Sequence, residues 1–259
     1  MDLGIRGRTA IVCGGSAGLG RATARALAHE GVRVLIAARN PERLRTAADE
    51  IAAESGFQVR TVAADVTTEE GRTEILDALP QPDILINNAG GPPPGDFRTW
   101  GREEWIRAID ANMLSAIFLI RSTIDGMIER KFGRVVNITS HMVKQPVNVL
   151  GLSNGARAGL TGFVGGLARD VAQHNVTINN VLPGQFDTDR LRSNHERFAQ
   201  ASGADVETLR ERQKSQIPAR RFGDPAEFGD ICAFLCGARA GYLTGQNILL
   251  DGGQFPGLL

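Results

Sequence analysis

The chain alternates short runs of β-branched residues with segments of helical periodicity along its whole length. Strands separated by amphipathic, helix-length segments are typical of βαβ units, in which the strands are parallel and helices cover both faces of the sheet. We therefore predict an α/β fold, a doubly wound parallel sheet in three α/β/α layers. The predicted strands are RTAIVCG, VRVLIAA, FQVRTVAAD, DILINNAG, GRVVNITS, VTINNVLPG and NILLDGG.

The chain is predicted to form one domain over residues 1–259. No fixed-period repeat, low-complexity tract or shift in composition marks a second domain, and single α/β domains reach this size. The irregular part is a polar excursion at about 187–224, which we expect to be a substrate lid. Residues 190–221 hold eight basic and four acidic side chains. This excess suits an anionic acyl thioester, although a solvated helix face has the same composition.

Charge and hydropathy argue against several classes of partner. Basic and acidic residues number 29 each, so no overall field attracts a nucleic acid or a membrane surface. The longest apolar run, near MLSAIFLI, is far shorter than the roughly 20 residues of a membrane span, and no signal-peptide core follows the charged start. We predict a cytoplasmic protein with no nucleic-acid or membrane partner. The cysteines lack accompanying histidines, so we predict cysteines packed in the core and no metal site.

The segment CGGSAGLG, residues 13–20, follows a predicted strand and opens a predicted helix. In that context a glycine cluster indicates a dinucleotide site, although such a cluster alone is also a common tight turn. Gly14 and Gly18 permit close backbone approach to a phosphate, and Gly20 permits tight helix packing. The helix N-terminus favours the negative charge of the ligand. The predicted sheet is therefore of the Rossmann type.

The end of the second predicted strand, IAARNPERL, indicates which dinucleotide is bound. An NAD site generally offers a carboxylate there to the ribose 2′-hydroxyl, whereas an NADP site offers a guanidinium to the 2′-phosphate. Ala38 stands where the carboxylate would be, Arg39 follows it, and Arg43 lies one helical turn further on. We predict NADP(H) and regard NAD(H) as the less favoured cofactor. A solvated arginine at a strand end is the alternative interpretation of Arg39.

Six motifs in order resemble the short-chain dehydrogenase/reductase family over essentially the whole chain. They are CGGSAGLG, NNAG at 87–90, Asn112 in the next helix, VVNITS ending at Ser140, NNVLPGQFDT through Thr188, and YLTGQNILLDGG. The last is similar to bacterial 3-oxoacyl-carrier-protein reductases. The resemblance implies that the cofactor is held by Gly14, Ser16, Gly18, Leu19, Gly20, Arg39, Asp65, Val66, Asn87, Ala89, Gly90, Arg157, Pro183, Gly184 and Thr188.

The family's catalytic Tyr-x-x-x-Lys pair is missing from NVLGLSNGARAGLTGF, residues 148–163. Alignment through LTGF places Ser153 at the tyrosine position and Arg157 at the lysine position. Ser140, which the resemblance makes the catalytic serine, lies thirteen residues before Ser153, as it does in the family. The chain's single tyrosine, Tyr242, lies in the C-terminal YLTGQ segment, so no shift in register recovers the missing group.

The replacements change the expected acid–base chemistry but keep the geometry. Residues i and i+4 share one helix face, so Ser153 and Arg157 are expected to point together toward the cofactor. A serine hydroxyl is a weaker acid and a shorter group than a phenol, whose pKa of about 10 the family lowers. A guanidinium can still donate to the nicotinamide ribose. The proton could come from His141, from Lys144, or through water held by Asn112, Ser140, Ser153 and Arg157; the sequence does not rank these sources.

We predict an NADP(H)-dependent oxidoreductase for a small carbonyl or acyl thioester substrate, with catalytic residues Ser140, Ser153, Arg157, Asn112 and His141. Two alternatives stay open: a non-catalytic, NADP-binding regulatory subunit, and a non-redox lyase or retro-aldol activity on the same fold. A helix predicted over 152–174 is rich in glycine, which permits close helix contacts. Because the resembling family associates through this helix, we expect a homotetramer or homodimer. These glycines are Gly155, Gly159, Gly162, Gly165 and Gly166.

Overall fold

A computed structural model describes residues 2–258, and within them seven strands form one sheet in which every neighbouring pair is parallel. The spatial order is β3-β2-β1-β4-β5-β6-β7, so the chain reverses its direction of winding between β3 and β4. The predicted doubly wound parallel sheet is confirmed. The strands are β1 (Thr9–Cys13), β2 (Arg33–Ala38), β3 (Arg60–Ala63), β4 (Ile84–Asn87), β5 (Gly133–Ile138), β6 (Val176–Pro183) and β7 (Asn247–Leu250).

Helices cover both faces of the sheet, because β1, β2, β4, β5 and β6 bury apolar side chains on both sides. One core cluster joins the sheet to α1, α2 and α9, and the other joins it to α3, α5 and α6. The result is the predicted three-layer arrangement. The helices are α1 (Gly18–His29), α2 (Pro41–Ser55), α3 (Glu69–Ala78), α4 (Arg102–Ile109), α5 (Ser115–Glu129), α6 (Gly151–Val171), α7 (Asp189–Ser202), α8 (Val206–Ser215) and α9 (Pro225–Cys236).

Side-chain caps set where most of these helices begin. Asn40 caps α2 by accepting from the backbone of Arg43, and Thr68 caps α3 in the same way. Helix α1 differs, because its N-cap residue is Ala17 and makes no side-chain cap bond. The first N–H groups of α1 therefore stay available to a ligand.

Four asparagines on neighbouring strands form a hydrogen-bonded row across the buried sheet. The Asn87 amide donates to Asn137 (2.9 Å), Asn137 donates to Asn180 (3.0 Å), and Asn180 donates to Asn247 (2.8 Å). Each pair is also in register in the strand ladder. Since a shift of one residue would turn these amides to the other face, the row fixes the register of β4 to β7.

The helix predicted around Asn112 is two helices joined by a π-helical turn. Helix α4 leads into the turn at Asp110–Leu114, which continues directly into α5. Such turns widen a helix locally and are frequent at functional sites. Within the described residues, Arg102–Glu129 is the one helical stretch long and apolar enough to span a membrane, with a mean hydropathy of 1.2. Its residues Leu119 and Ile120 are buried in the core, and core helices of soluble proteins pass the same test.

The five glycines of α6 named above divide into two groups. Side chains on Gly155 and Gly159 would meet Trp105 and Met113, respectively, of the same chain. These two positions therefore serve packing within the chain. The other three glycines face open space, as a subunit contact would require; the homotetramer or homodimer stays a prediction. They are Gly162, Gly165 and Gly166.

The excursion at 187–224 contains two helices, α7 and α8, which pack together. His195 of α7 is buried, and its Nε2 lies 2.6 Å from the Gln213 side chain of α8. Asp187 accepts from Arg192 (3.1 Å) and from Arg210 (3.2 Å). The segment is thus an ordered helical pair, and its function as a lid stays a prediction.

Candidate active site

A cleft of about 630 Å³ runs along the carboxyl ends of β1, β2, β3 and β4, where ligands bind in open parallel sheets. Its volume lies within the range of small-molecule sites. Most of the predicted cofactor residues line it, and Gly20, Asn87, Arg157, Pro183 and Gly184 do not. The predicted residues in its wall are Gly14, Ser16, Gly18, Leu19, Arg39, Asp65, Val66, Ala89, Gly90 and Thr188.

The glycine turn shapes one wall of the cleft through its backbone. Gly18 has φ of +54°, a conformation that favours glycine. A Cβ on Gly20 would lie 2.3 Å from the Gly14 carbonyl oxygen, so only glycine lets the start of α1 pack against the end of β1. The uncapped first turn of α1 points its N–H groups at this wall. These features fit a phosphate group of a ligand.

Cationic side chains stand at the far end of the cleft, beyond β2. Arg39 and Arg43 both line it, and the Arg39 side chain is 81% exposed. Its guanidinium lies 3.9 Å from the Asp65 carboxylate, a distance at which an exposed ion pair contributes little. Asp65 is instead held by the backbone N–H and hydroxyl of Thr67 (3.0 and 2.9 Å). Arg39 is therefore free to engage an anion.

A small pocket of about 20 Å³ adjoins the cleft and shares wall residues with it, including Val66 and Ala89. It has room for about one water molecule. The predicted catalytic residues Asn112 and Arg157 line this pocket. Asn112 donates its amide to the carbonyls of Gly90 (3.3 Å) and Ala108 (3.4 Å).

Two acceptor atoms in the wall of this small pocket are buried without a donor. They are the side-chain oxygens of Asn87 and Asn112, neither of which has a hydrogen-bond partner among residues 2–258. A buried polar atom without a partner costs free energy unless a ligand or water satisfies it. The pocket is therefore suited to a molecule that donates hydrogen bonds.

Ser153 and Arg157 lie one turn apart on α6, as predicted, and bond to each other. The Arg157 Nε donates to Ser153 Oγ at 3.2 Å. Its Nη1 donates to the carbonyls of Ile138 (2.9 Å) and Thr139 (2.8 Å), and its Nη2 to Ala89 (3.4 Å). Four of the five N–H groups of this guanidinium are thereby used by the protein. One remains for a ligand.

The Arg157 guanidinium is a buried cation with only 8% of its residue surface exposed. Burial, and to a lesser extent the nearby charge of Arg190, lower the pKa of Arg157 to about 10. The group is still charged at neutral pH. Within the described chain no carboxylate comes within 4 Å of it. Its charge is thus balanced only by carbonyl and hydroxyl oxygens.

Ser140 and His141 follow β5 directly. Ser140 Oγ accepts the N–H of Met142 at 3.2 Å, which leaves its own proton available to a substrate oxygen. His141 is buried, and its Nδ1 lies 2.9 Å from the Pro183 carbonyl oxygen. The ring lines neither the cleft nor the small pocket. Lys144 places its ammonium 5.8 Å from the centre of the Phe255 ring.

Arg190 and Ser193 on α7 line the cleft, and neither was predicted as a site residue. Arg190 donates to the Gly91 carbonyl at 3.2 Å, across from the turn that follows β4. In the sequence it is one of eight basic residues in the lid. Its position directly after the predicted contact at Thr188, in DTDRLRS, is the signal that could have distinguished it.

The cysteines are packed in the two cores, as predicted. Burial raises the pKa of the Cys13 thiol to about 12 and that of Cys232 likewise to about 12. Burial, and to a lesser extent Cys232, raise the pKa of the Cys236 thiol still further. A neutral buried thiol is a poor nucleophile and a poor metal ligand. Across residues 2–258 no three histidine, cysteine or acidic side chains gather into a metal-binding group.

Comparison with known proteins agrees with this geometry. The sequence profile described as short chain dehydrogenase matches residues 8–198. The 3-oxoacyl-[acyl-carrier-protein] reductase FabG of Aquifex aeolicus is 32% identical over 260 aligned positions, covering 98% of this chain and all of that protein. The acetoacetyl-CoA reductase of Cupriavidus necator is 33% identical, covering 96% of this chain and 99% of that protein.

A solved structure matches over the whole length. The L-sorbose reductase of Gluconobacter frateurii, complexed with NADPH and L-sorbose, superposes with a TM-score of 0.95 and 30% sequence identity. The match covers all of both chains. The fold described above is thus shared with a structure that holds NADPH.

Proposed function

The chain is an oxidoreductase of the short chain dehydrogenase family, and from this premise we propose that it uses NADP(H) to reduce a small carbonyl substrate. The substrate class is that of the 3-oxoacyl reductases it resembles, a ketone or an acyl thioester. Ser153 and Arg157 act where the family has tyrosine and lysine. The observation that carries the proposal is the continuity of the cleft with the small pocket that holds Arg157.

The residues of the cleft fit NADP(H). The uncapped start of α1 and the glycine turn would hold the diphosphate, because N–H groups and the helix dipole favour negative charge. Arg39 and Arg43 would hold the 2′-phosphate that distinguishes NADP(H) from NAD(H). Asp65 and Val66 would line the adenine, and Thr188 the nicotinamide. When bound, the reduced cofactor supplies a hydride to the carbonyl carbon.

We propose that the hydroxyls of Ser140 and Ser153 polarise the carbonyl. Ser140 and Ser153 each accept one hydrogen bond, and neither hydroxyl proton has an acceptor elsewhere in residues 2–258. Both protons can therefore point at a substrate oxygen. The Arg157 charge beside Ser153 strengthens that donation, since it stabilises the negative charge that develops on the oxygens.

The proton that completes the reduction must be relayed from solvent, because a serine hydroxyl that gives up its proton has to be reprotonated. We propose that it arrives through water in the small pocket, where the orphan Asn112 oxygen and the last free N–H of Arg157 can hold a water molecule. His141 is the second candidate. It is less favoured because its Nδ1 is occupied by the Pro183 carbonyl.

The proposal also covers the lid, the oligomeric state and the cellular location. The helices α7 and α8 would cover the substrate, and their basic excess suits an acyl thioester carrying phosphate groups. The open glycines of α6 support a homotetramer or homodimer. We propose a cytoplasmic enzyme.

The test is titration of the purified protein with NADPH and NADH by fluorescence, followed by a turnover assay. Acetoacetyl-CoA and small ketones would be the first substrates, with NADPH consumption as the readout. We expect NADPH to bind more tightly than NADH and turnover to follow. Binding without turnover would favour the regulatory subunit or the non-redox activity. If neither dinucleotide binds, the proposal is wrong.

A further inference from the structure

Two guanidinium groups from opposite walls of the site meet at Gly91. A Cβ on Gly91 would lie 3.4 Å from Arg190 Nη2 and 3.6 Å from Arg157 Nη2. Because glycine has no side chain, the space at this point is open to both cations. One small anion lying between the two guanidinium groups, on this side of Gly91, could contact both.

The charges of this pair are not balanced by the protein. Arg157 is bound by three carbonyls and a hydroxyl, and Arg190 by the Gly91 carbonyl. Over residues 2–258 neither arginine lies within 4 Å of a carboxylate. Two like charges near each other repel, and this repulsion is one cause of the lowered pKa of Arg157. A bound anion would offset both charges.

The nearby carboxylates are already engaged by other arginines. Asp187 accepts from Arg192 and Arg210, and Asp189 pairs with Arg192 at 3.7 Å. Asp189 also lines the cleft, but its carboxylate pairs with Arg192 and not with Arg190. The loop on the other side of the pair, 90–95, has the sequence GGPPPG and carries no ionisable side chain. The cationic character of the site is thus not cancelled from either wall.

We propose that Arg157 and Arg190 form a binding site for an oxyanion at Gly91, a carboxylate of an acidic carbonyl substrate or a phosphate oxygen of the bound dinucleotide. Guanidinium groups suit such oxygens because they present paired N–H donors. Arg190 belongs to α7, so the anion would also tie the lid to the turn after β4. The assignment of the anion to a substrate carboxylate rests on the function proposed above, whereas the existence of the anion site does not.

The decisive variant is Arg190→Gln, with Arg197→Gln as its matched control. Arg197 lies two turns further along α7 and contacts only Asn194 and Ser193 of its own helix within the described residues, so it makes the same charge change outside the site. The probes are acetoacetate, its uncharged methyl ester, and NADPH. Acetoacetate binding is measured by tryptophan fluorescence both without nucleotide and with NADP⁺, which cannot reduce it.

We expect Arg190→Gln to weaken acetoacetate binding about ten-fold, with the ester and NADPH changed less than about two-fold. A ten-fold loss of NADPH affinity with unchanged acetoacetate would assign the site to a dinucleotide phosphate. Equal losses for acid and ester, or no loss above two-fold for any probe, would overturn the site. If wild-type protein bound no dinucleotide, only the proposed function would fail, because the acetoacetate measurement without nucleotide stands alone.

A second variant, Gly91→Ala, tests the same site without altering charge. Its methyl group would meet no atom closer than 3.4 Å, and Gly91 does not have positive φ, so the fold should accept it. The methyl would narrow the space between the two guanidinium groups, where the anion is expected. We expect a loss of anion binding similar to that of Arg190→Gln, and unchanged binding would contradict the assigned position.

Discussion

At the glycine-turn end of the cleft the contacts come from backbone geometry, whereas at the Ser153–Arg157 end they come from side chains. The first end keeps the pattern of its family: a left-handed Gly18, a Gly20 that packs on the Gly14 carbonyl, and an uncapped helix. At the second end, the predicted alignment puts Ser153 and Arg157 at the positions of the family's tyrosine and lysine. Under the proposed function, dinucleotide binding and proton transfer depend on separate parts of the molecule, so one can change while the other is kept.

The arginine at the second end shows how far the change has gone. A lysine has three N–H donors at one point, whereas Arg157 extends a planar fork to Ile138, Thr139 and Ala89. Most of its donors join α6 to the end of β5 and to the segments that follow β4 and β5, rather than to a ligand. Arg157 therefore holds the fold together locally, besides any contact with a ligand. The four predictions below contrast the two ends of the cleft.

The largest effect is expected at Ser140. Ser140→Ala removes a hydrogen-bond donor to the developing negative charge, so kcat should fall by about 10²–10³ while the NADPH dissociation constant stays unchanged. Ser140→Thr keeps the hydroxyl and should retain much more of the rate. Steady-state kinetics with NADPH and a carbonyl substrate measure both. A loss of less than about three-fold in Ser140→Ala would mean that this end is not the site of reduction.

Restoring the family's proton donor should produce the next largest change in kcat. The double variant Ser153→Tyr with Arg157→Lys should raise kcat by about 10² or more, since general acid catalysis typically contributes that much. The control is Ser153→Phe with Arg157→Lys, which adds the ring without the hydroxyl. Equal rates in the two double variants would show that the substrate side has diverged along with the catalytic pair.

The glycine-turn end is tested by Gly20→Ala. Its methyl group would lie 2.3 Å from a backbone carbonyl oxygen, so α1 must shift, and the free energy of unfolding should fall by about 1–3 kcal/mol. NADPH affinity should fall with it. Gly126→Ala is the control, because that methyl would meet only the flexible end of Arg130 and should be neutral or slightly stabilising. Thermal unfolding with and without NADPH measures both. If Gly20→Ala unfolded and bound NADPH as the wild type does, the glycine-turn end would not depend on backbone geometry as described.

The smallest effect concerns cofactor choice. Arg39→Gln should weaken NADPH binding by about ten-fold and leave NADH binding unchanged, because only NADPH has the 2′-phosphate. Arg60→Gln removes an exposed charge at the amino end of β3, away from the cleft, and should change neither. Fluorescence titration of the three proteins decides the point. Equal losses of affinity for NADPH and NADH would mean that Arg39 contacts a group that both dinucleotides have, and not the 2′-phosphate.

The fold was predictable because it rests on periodicity, and long alternating patterns are the strongest signal in a sequence. All seven predicted strands are present, with ends displaced by a few residues. The π-helical turn at Asp110–Leu114 was missed, since a local widening of a helix leaves the apolar pattern nearly unchanged. The two helices of the lid were missed because their surfaces are mostly polar, so no clear apolar stripe stands out.

The candidate site was predictable only where a residue's neighbours in sequence are also its neighbours in space. The spacing of Ser153 and Arg157 gave their shared face correctly. The approach of Arg190 to Gly91 joins residues 99 positions apart, and no local pattern indicates it. The asparagine row was missed for a different reason: asparagine is depleted in strands, so its presence in β4, β5 and β6 looked incidental.

The asparagine row also has a direction. Every amide in it donates toward β7, so the side-chain dipoles are aligned and each polarises the next. The electron-rich end of this series is the unpaired Asn87 oxygen in the wall of the small pocket. Reversing the order would present an N–H there instead. The row of asparagines that fixes strand register therefore also makes the small pocket favour molecules that donate a hydrogen bond.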